Sequence, residues 1–438
     1  MAKTEAPTAA PVASRWSRLL RRSVDGAPPQ DPLTMADFMK VAKSKIDASA
    51  GELNTISQEI WSHPELNFNE HHAHEVLTDY LEKEGFNVER HFVLDTAFRA
   101  TFGSDNAGPN ICVICEYDAL PEIGHACGHN LIAECGVAAG IGIKAALEAS
   151  GNKYGKVTVL GTPGEEGGGG KKRLIKANAF VGIAVAMMAH PYRYNVPRPI
   201  ALSMTALVIK FQGKASHAAA APWDGNNALD AAVTCYQSIS NMRQQMKPAC
   251  RVHGIFTNGG AAPNIIPEEA ELTYYLRAVD ENELAVLKKK VEACAEGAAI
   301  ATECKVEIDA SGISYANLIT NDGLSIMYEA HAQGMGVEFS HDEALRRGGS
   351  TDMGNVSYVV PSIQPKFTPG SGDAAIHTRP FASVAGAPEA QAPTLIQAKA
   401  LAMTAIELLQ PSGQDTLKKI QKEFKETVSK LPMPDMGD

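Results

Sequence analysis

Cys115-Glu116-Tyr117-Asp118-Ala119-Leu120-Pro121-Glu122-Ile123-Gly124-His125-Ala126-Cys127-Gly128-His129-Asn130 packs acids, imidazoles and thiols into one turn-rich segment. Ahead of it, Asn110 to Cys115 reads as a short buried strand, and behind it Leu131 to Glu148 reads as an Ala-rich helix. The polar cluster therefore sits at a strand-to-helix crossover, where α/β folds place ligand sites outside the carboxyl ends of their strands. Cys127 and His129 lie two apart around Gly128, so both side chains can converge on one ion. Taken alone, such a pair is more often a buried thiol beside a satisfied histidine than a metal site. A second strand, Val157 to Gly161, runs into Thr162-Pro163-Gly164-Glu165-Glu166 and four glycines, so a second strand end offers ligands.

The chain of 438 residues exceeds what one hydrophobic core supports, which makes two domains the expectation. A charge of −10 and a pI near 5.8 argue against a nucleic-acid partner, which would need a basic face. No apolar run approaches the roughly 18 residues that span a bilayer, so no membrane role is expected. Eight cysteines are scattered without the spacing of a secreted framework, which points to a reducing, cytoplasmic setting. Residues 1–32 are rich in Ala, Pro, Ser and Arg and read as a disordered extension. The basic piece Trp16 to Arg22 leaves organelle targeting as the alternative.

Further along, helical spacing runs from Thr34 to about Ser62 and again from Glu70 to Glu84, the second run carrying His71, His72 and His74. That trio reads as a solvated helix face rather than a metal site. The glycines after Glu166 lack the Gly and Ser/Thr positions of a phosphate-binding P-loop, so that reading fails. Strands alternating with helices give an α/β class with a mostly parallel central sheet and helices on both faces. Within it, residues 202–313 follow a βαββαβ order and read as an inserted ferredoxin-like unit. Residues 33–201 and 314–438 then form the metal-binding domain. A last helix is expected over Thr394 to Leu409, followed by a charged, frayed end.

The segments around Cys127, Glu165-Glu166, Ala189-His190-Pro191, Gly213 to His217, Pro263 to Pro267 and His377 occur in one order over most of the chain. They resemble the M20 family of metallopeptidases and amidohydrolases. Glu-Tyr-Asp-Ala-Leu-Pro, His-Ala-Cys-Gly-His-Asn and Gly-Gly-Ser-Thr-Asp are similar to its β-alanyl-lysine (Xaa-Arg) dipeptidase branch. Gly164 departs from the usual Ala before the Glu pair. The resemblance implies two divalent ions, Cys127 bridging them and His129, Glu166, His190 and His377 completing the set. A thiolate favours zinc, while the carboxylate and imidazoles admit manganese or cobalt. It also implies that the inserted unit is a dimerisation or lid domain. His217 and Asn264 would then reach the active site of the partner in a homodimer, and bind substrate there.

Of the adjacent acids, Glu165 is expected to serve as general base and then acid, on the ground that neighbouring side chains in an extended segment point to opposite sides. Asp118 is expected to hydrogen-bond an imidazole such as His129 and fix its tautomer. Arg277 is a candidate for the substrate carboxylate, and Gly349 and Ser350 for the pocket wall. Three functions remain open on these residues. The leading one is hydrolysis of a dipeptide with a β-alanyl or other acyl group on a basic amino acid. The others are an amidohydrolase for N-acyl amino acids, or an amide-forming enzyme, and a non-catalytic scaffold that kept the fold.

Overall fold

In the computed structural model, which describes residues 33–342, 348–370 and 372–434, two sheets organise the chain. Both readings of residues 1–32 thus lie outside the described residues. Helices α1 (Met35–Ala48), α2 (Ala50–Ser62) and α3 (His71–Lys83) come first. Then follow β1 (Asn87–Arg90), β2 (Phe98–Gly103), β3 (Asn110–Cys115), α4 (His129–Ala149), β4 (Lys156–Gly161), α5 (Gly170–Lys176), β5 (Ile183–Met187) and β6 (His190–Pro191). The βαββαβ stretch is β7 (Ser203–Gln212), α6 (Ala228–Asn241), β8 (Arg251–Asn258), β9 (Glu269–Ala278), α7 (Glu281–Ala301) and β10 (Lys305–Asp309), with β11 (Ser314–Tyr315) after it. The chain continues through α8 (Asp322–Gln333), α9 (Met353–Val356), β12 (Ser362–Ile363), β13 (Lys366–Phe367), α10 (Arg379–Ala385), α11 (Gln391–Leu409) and α12 (Gln414–Val428).

The first sheet runs β1-β2-β4-β3-β5-β12, with β4, β3, β5 and β12 parallel and β2 antiparallel to both its neighbours. Along β3, Ile111, Val113 and Cys115 face one core with Ile46, Leu53 and Leu401, whereas Cys112 and Ile114 join Leu160, Leu174 and Met353 on the other. Because both faces are covered, the strand is apolar at consecutive positions instead of alternating. The second sheet, β10-β7-β9-β8 with β11 against β7, is antiparallel and covered by α6 and α7 on one face only. Strand β9 accordingly alternates buried with partly exposed residues. Strand β8 is left as an edge, pairing with β9 alone.

Helix α4 corrects one expectation: it is long and apolar enough to cross a bilayer, yet it lies buried inside the fold. A helix apolar on every side belongs in a core. Its glycines allow close packing, since a Cβ on Gly140 would lie 2.4 Å from Val159 Cγ2 and one on Gly142 2.8 Å from Ile46 Cδ1. The same helix carries Glu134, whose carboxyl is buried beside Ser57 and Gln391 with no cation against it among the described residues. Burial pushes its pKa up to about 8. The folded protein therefore keeps a proton that the unfolded chain releases above pH 4.5, and stability from this group is lost as pH rises toward 8. Glu134→Gln should stabilise the protein by about 3–5 kcal/mol at pH 8.5, with the advantage gone near pH 4.5. Urea unfolding at both pH values measures it.

Three other expectations change. The first helical run breaks at Ser49 into α1 and α2. The chain end beyond Leu409 is not frayed through the described residues, because α12 buries Leu417 and Ile420 while Glu423 accepts from the N–H groups of Asp322 and Gly323 at the start of α8. A carboxylate there complements the positive helix end. The histidine trio is no uniform solvated face: His74 is buried and stacked on His91, and His72 is half-buried.

Candidate metal centre

The register aligns Cys115 with Gly161, so β3 and β4 end side by side, with β5 next to β3. Three chain segments consequently leave one edge of the sheet together: Glu116 to Asp118, Thr162 to Glu166, and Met188 to His190. Gly128, at φ +79°, turns the chain into α4 so that His129 heads the helix, and a Cβ there would press on Pro191 at 3.0 Å. His377 takes φ +62°, a left-handed backbone that non-glycine residues adopt at a cost, and its N–H donates to Ala126 O at 2.8 Å. That bond brings it beside Cys127.

Two groups of ligand atoms share the Cys127 sulfur. Cys127, His129 and His190 have theirs all within 4.8 Å of one another, and so do Cys127, Glu166 and His377. All five expected ligands are thus brought together. Carboxylates and carbonyls only accept, which fixes the imidazole tautomers. His129 Nδ1 donates to Asp118 Oδ1 at 2.9 Å and His190 Nδ1 donates to Pro191 O at 2.7 Å, leaving both Nε2 lone pairs toward the cluster. His190 Nε2 lies 3.6 Å from Cys127 Sγ. Burial pushes the His190 imidazole down to about 4, so it is neutral at pH 7. Burial and then Glu166 push the Cys127 thiol well up. His129 Nε2 and Glu166 Oε1 are buried with no hydrogen-bond partner. With these two atoms unpartnered, a set of one sulfur, three imidazoles and a carboxylate suits divalent cations, whose charge would draw the proton off the thiol.

Asp118 also accepts from Glu166 N at 2.9 Å, tying the two strand ends together. The adjacent acids do not diverge as an extended segment would make them. Gly164 (φ +67°) opens a turn, and Glu165 Oε2 and Glu166 Oε1 lie 4.0 and 3.8 Å from His129 Nε2. Glu165 is distinguished instead by its surroundings. Burial first, then Glu116, Glu166 and Asp352, hold its carboxyl well above the ordinary range. The sequence reading missed what stands behind it: Lys171, fully buried, joins Glu116 and Asp352 in ion pairs of 2.5 and 2.6 Å. Tyr315 donates to the Glu165 carbonyl.

A cavity of about 340 Å³ opens over these residues, lined by Cys127, Glu165, Glu166, His190 and His377. Its lining also includes Gly349, Ser350 and Arg277, with Arg277 Nη1 donating to Ser350 Oγ at 2.7 Å. Lys366, a second cation of the lining and also missed, pairs in register with His190 and lies over the Tyr192 ring at 3.8 Å, and burial pushes it down to about 8. A larger cavity of about 760 Å³ behind Gly167 to Gly169 has no acid or histidine in its lining and hence no hydrolytic chemistry. His217 and Asn264 do not reach the 340 Å³ cavity of their own chain. Both are exposed on the second sheet's unit, where Ala218 N donates to Asn264 O.

A parallel sheet whose strand ends converge on a thiol, imidazoles and carboxylates defines a hydrolytic metalloenzyme, and the comparisons with known proteins specify which. A Peptidase dimerisation domain model matches residues 203–303. The chain is 49% identical to the Xaa-Arg dipeptidase of Mus musculus over 396 residues, covering 88% of this chain and 91% of that one. It is 48% identical to the Homo sapiens Xaa-Arg dipeptidase over 400 residues, 86% and 92% of the two chains. A dinuclear metal-binding M20 peptidase of Bacillus subtilis shares the fold, with TM-score 0.63 at 19% identity over 83% of this chain and 99% of that one. A putative aminohydrolase from methicillin resistant Staphylococcus aureus matches at TM-score 0.70, 18% identity, over 85% and 100%. The chain belongs to the M20 family of metal-dependent peptidases and amidohydrolases, and it is an enzyme.

Proposed function

We propose that this enzyme is a dipeptidase that removes a β-alanyl or other aminoacyl group from a basic amino acid, using two divalent ions, zinc before manganese or cobalt. The observation that carries the reading is the pair of ligand groups sharing Cys127 in a cavity that Arg277 also lines. His129 and His190 would hold one ion and Glu166 and His377 the other, with Cys127 between. When bound, such ions supply Lewis acidity toward the amide carbonyl and lower the pKa of water to about 7. Glu165 takes the proton of the attacking water and returns it to the leaving nitrogen, which suits a buried carboxyl with a raised pKa. Lys171 pairs with Glu116 and Asp352 behind it and offsets one of their two negative charges. Arg277 grips the substrate carboxylate with parallel hydrogen bonds, and Ser350 sets the angle of the guanidinium.

The dimer belongs to the same proposal. Strand β8 offers an unpaired edge, and Ile255, Phe256, Val233 and Tyr236 expose apolar surface beside it. All eight cysteines are free, as a reducing cytoplasm would keep them. The test is a substrate panel on metal-loaded protein: dipeptides ending in Lys or Arg should be cleaved at least about tenfold faster in kcat/KM than N-acyl amino acids, a difference of 1.4 kcal/mol in the transition state. Preference for the N-acyl series would favour the amidohydrolase reading. Elemental analysis should find at least two ions per chain, since a thiolate, three imidazoles and a carboxylate exceed one tetrahedral site. Activity that survived complete chelation would overturn the mechanism.

A further inference from the structure

Outside the centre, one more group of ligating side chains comes together among the described residues, at the junction of α2 and α3. Glu59, His63 and His72 each offer a ligand atom within 4.8 Å of the other two. Glu59 and His63 are four apart at the end of α2 and share its face, while His72 arrives from the first turn of α3. Two acceptor-side contacts orient the set. His63 Nδ1 lies 2.9 Å from the Glu59 carbonyl oxygen and 3.6 Å from Glu59 Oε2, which holds the imidazole over the Glu59 side chain. His72 Nε2 is buried with no hydrogen-bond partner and stands 3.3 Å from Glu59 Oε2. The imidazoles sit with ring centroids 4.4 Å apart. The other acids of the junction are otherwise engaged, the Glu65 carboxylate accepting from the N–H groups of His72 and Ala73 and that of Glu70 from those of Phe68 and Gly164.

We propose that Glu59, His63 and His72 bind one divalent transition-metal cation in addition to the catalytic centre. Two imidazoles and one carboxylate suit zinc, copper, nickel or cobalt, whereas magnesium and calcium prefer oxygen ligands throughout. The side chains are 46%, 55% and 34% exposed, so the ion enters without unfolding the junction, and solvent fills its remaining positions. Binding there staples α2 to α3 and steadies the loop between them. That loop reaches the centre, because Glu65 O accepts from Ala119 N at 2.8 Å, one residue from the Asp118 that orients His129.

The experiment titrates metal-loaded, full-length protein with Cu²⁺ and follows electron paramagnetic resonance, which counts ligating nitrogens, together with equilibrium dialysis. Wild type and His71→Ala should each bind one Cu²⁺ equivalent with a two-nitrogen signature that His63→Ala and His72→Ala lack. In those two variants its affinity should fall by about 10–100-fold or more. Glu59→Gln, exposed and nearly isosteric, provides a second route should a histidine variant misfold, and should weaken the same equivalent. If the His63, His72 and Glu59 variants all bound this equivalent as tightly as wild type, the assignment would be overturned. Because the comparison is between proteins with the same catalytic ligands, its outcome is independent of the proposed peptidase mechanism.

Discussion

Glu165→Gln should fold, keep its metal and lose roughly two to four powers of ten in turnover. The substitution preserves volume in a site where Glu165 is 6% exposed, so packing changes little. The Tyr315 bond is to the Glu165 backbone carbonyl and survives. The expected ligands Cys127, His129, Glu166, His190 and His377 are untouched. What disappears is a carboxylate able to take a proton and give it back. Elemental analysis beside steady-state kinetics separates this from metal loss, which His377→Ala should produce instead. Normal turnover by Glu165→Gln would move the base elsewhere, and Asp118 would be the next candidate.

How legible this site was in the sequence depended on how local each relation is. The ends of β3 and β4 carry their ligands within a few residues of an apolar strand, so Cys127, His129, Glu165 and Glu166 could be read directly, and the family order of motifs added His190 and His377. Lys171 could not be read that way. Its partners Glu116 and Asp352 lie 55 and 181 positions away, and a lysine following four glycines looks like surface until the fold encloses it. Lys366 is similar, since only the β13–β6 pairing brings it over Tyr192. The extended-segment argument for the two glutamates failed for a local reason, the turn at Gly164, which a glycine in that position permits but does not announce. At the junction of α2 and α3 the rejection of a histidine trio held, and what lay beyond a local reading was the neighbouring helix. His71, His72 and His74 do not form a site among themselves, and His72 finds its neighbours on another helix. The βαββαβ order was legible because its strands alternate and its helices show regular spacing, whereas α12 was masked by its charge, with only Leu417 and Ile420 fully buried.

The dimer proposed above carries the second large effect. His217 is exposed, outside its own chain's cavity, and yet held in one tautomer: the N–H groups of Ala219 and Ala220 both point at Nδ1, at 3.2 Å. Nδ1 must accept from them, so the hydrogen sits on Nε2 and the outward edge of the ring is a donor. Such a donor, aimed at a partner subunit's reaction centre, would stabilise the developing oxyanion there, a contact worth about 3–4 kcal/mol, or roughly two to three powers of ten in turnover. His217→Ala should therefore lose that much activity while keeping its metal and its dimer. Asn264, linked to the same turn through its carbonyl, should act alongside it. In a two-fold assembly each active site needs Glu165 from one chain and His217 from the other. Mixing Glu165→Gln with His217→Ala and exchanging subunits then yields heterodimers in which one of the two composite sites is intact. Activity should rise from near nothing to a fraction set by the heterodimer content, approaching half the wild-type value per heterodimer. Heterodimers demonstrated by mass spectrometry but inactive would place His217 outside the partner's catalysis, and the lost activity of the single variant would then have to arise within its own chain.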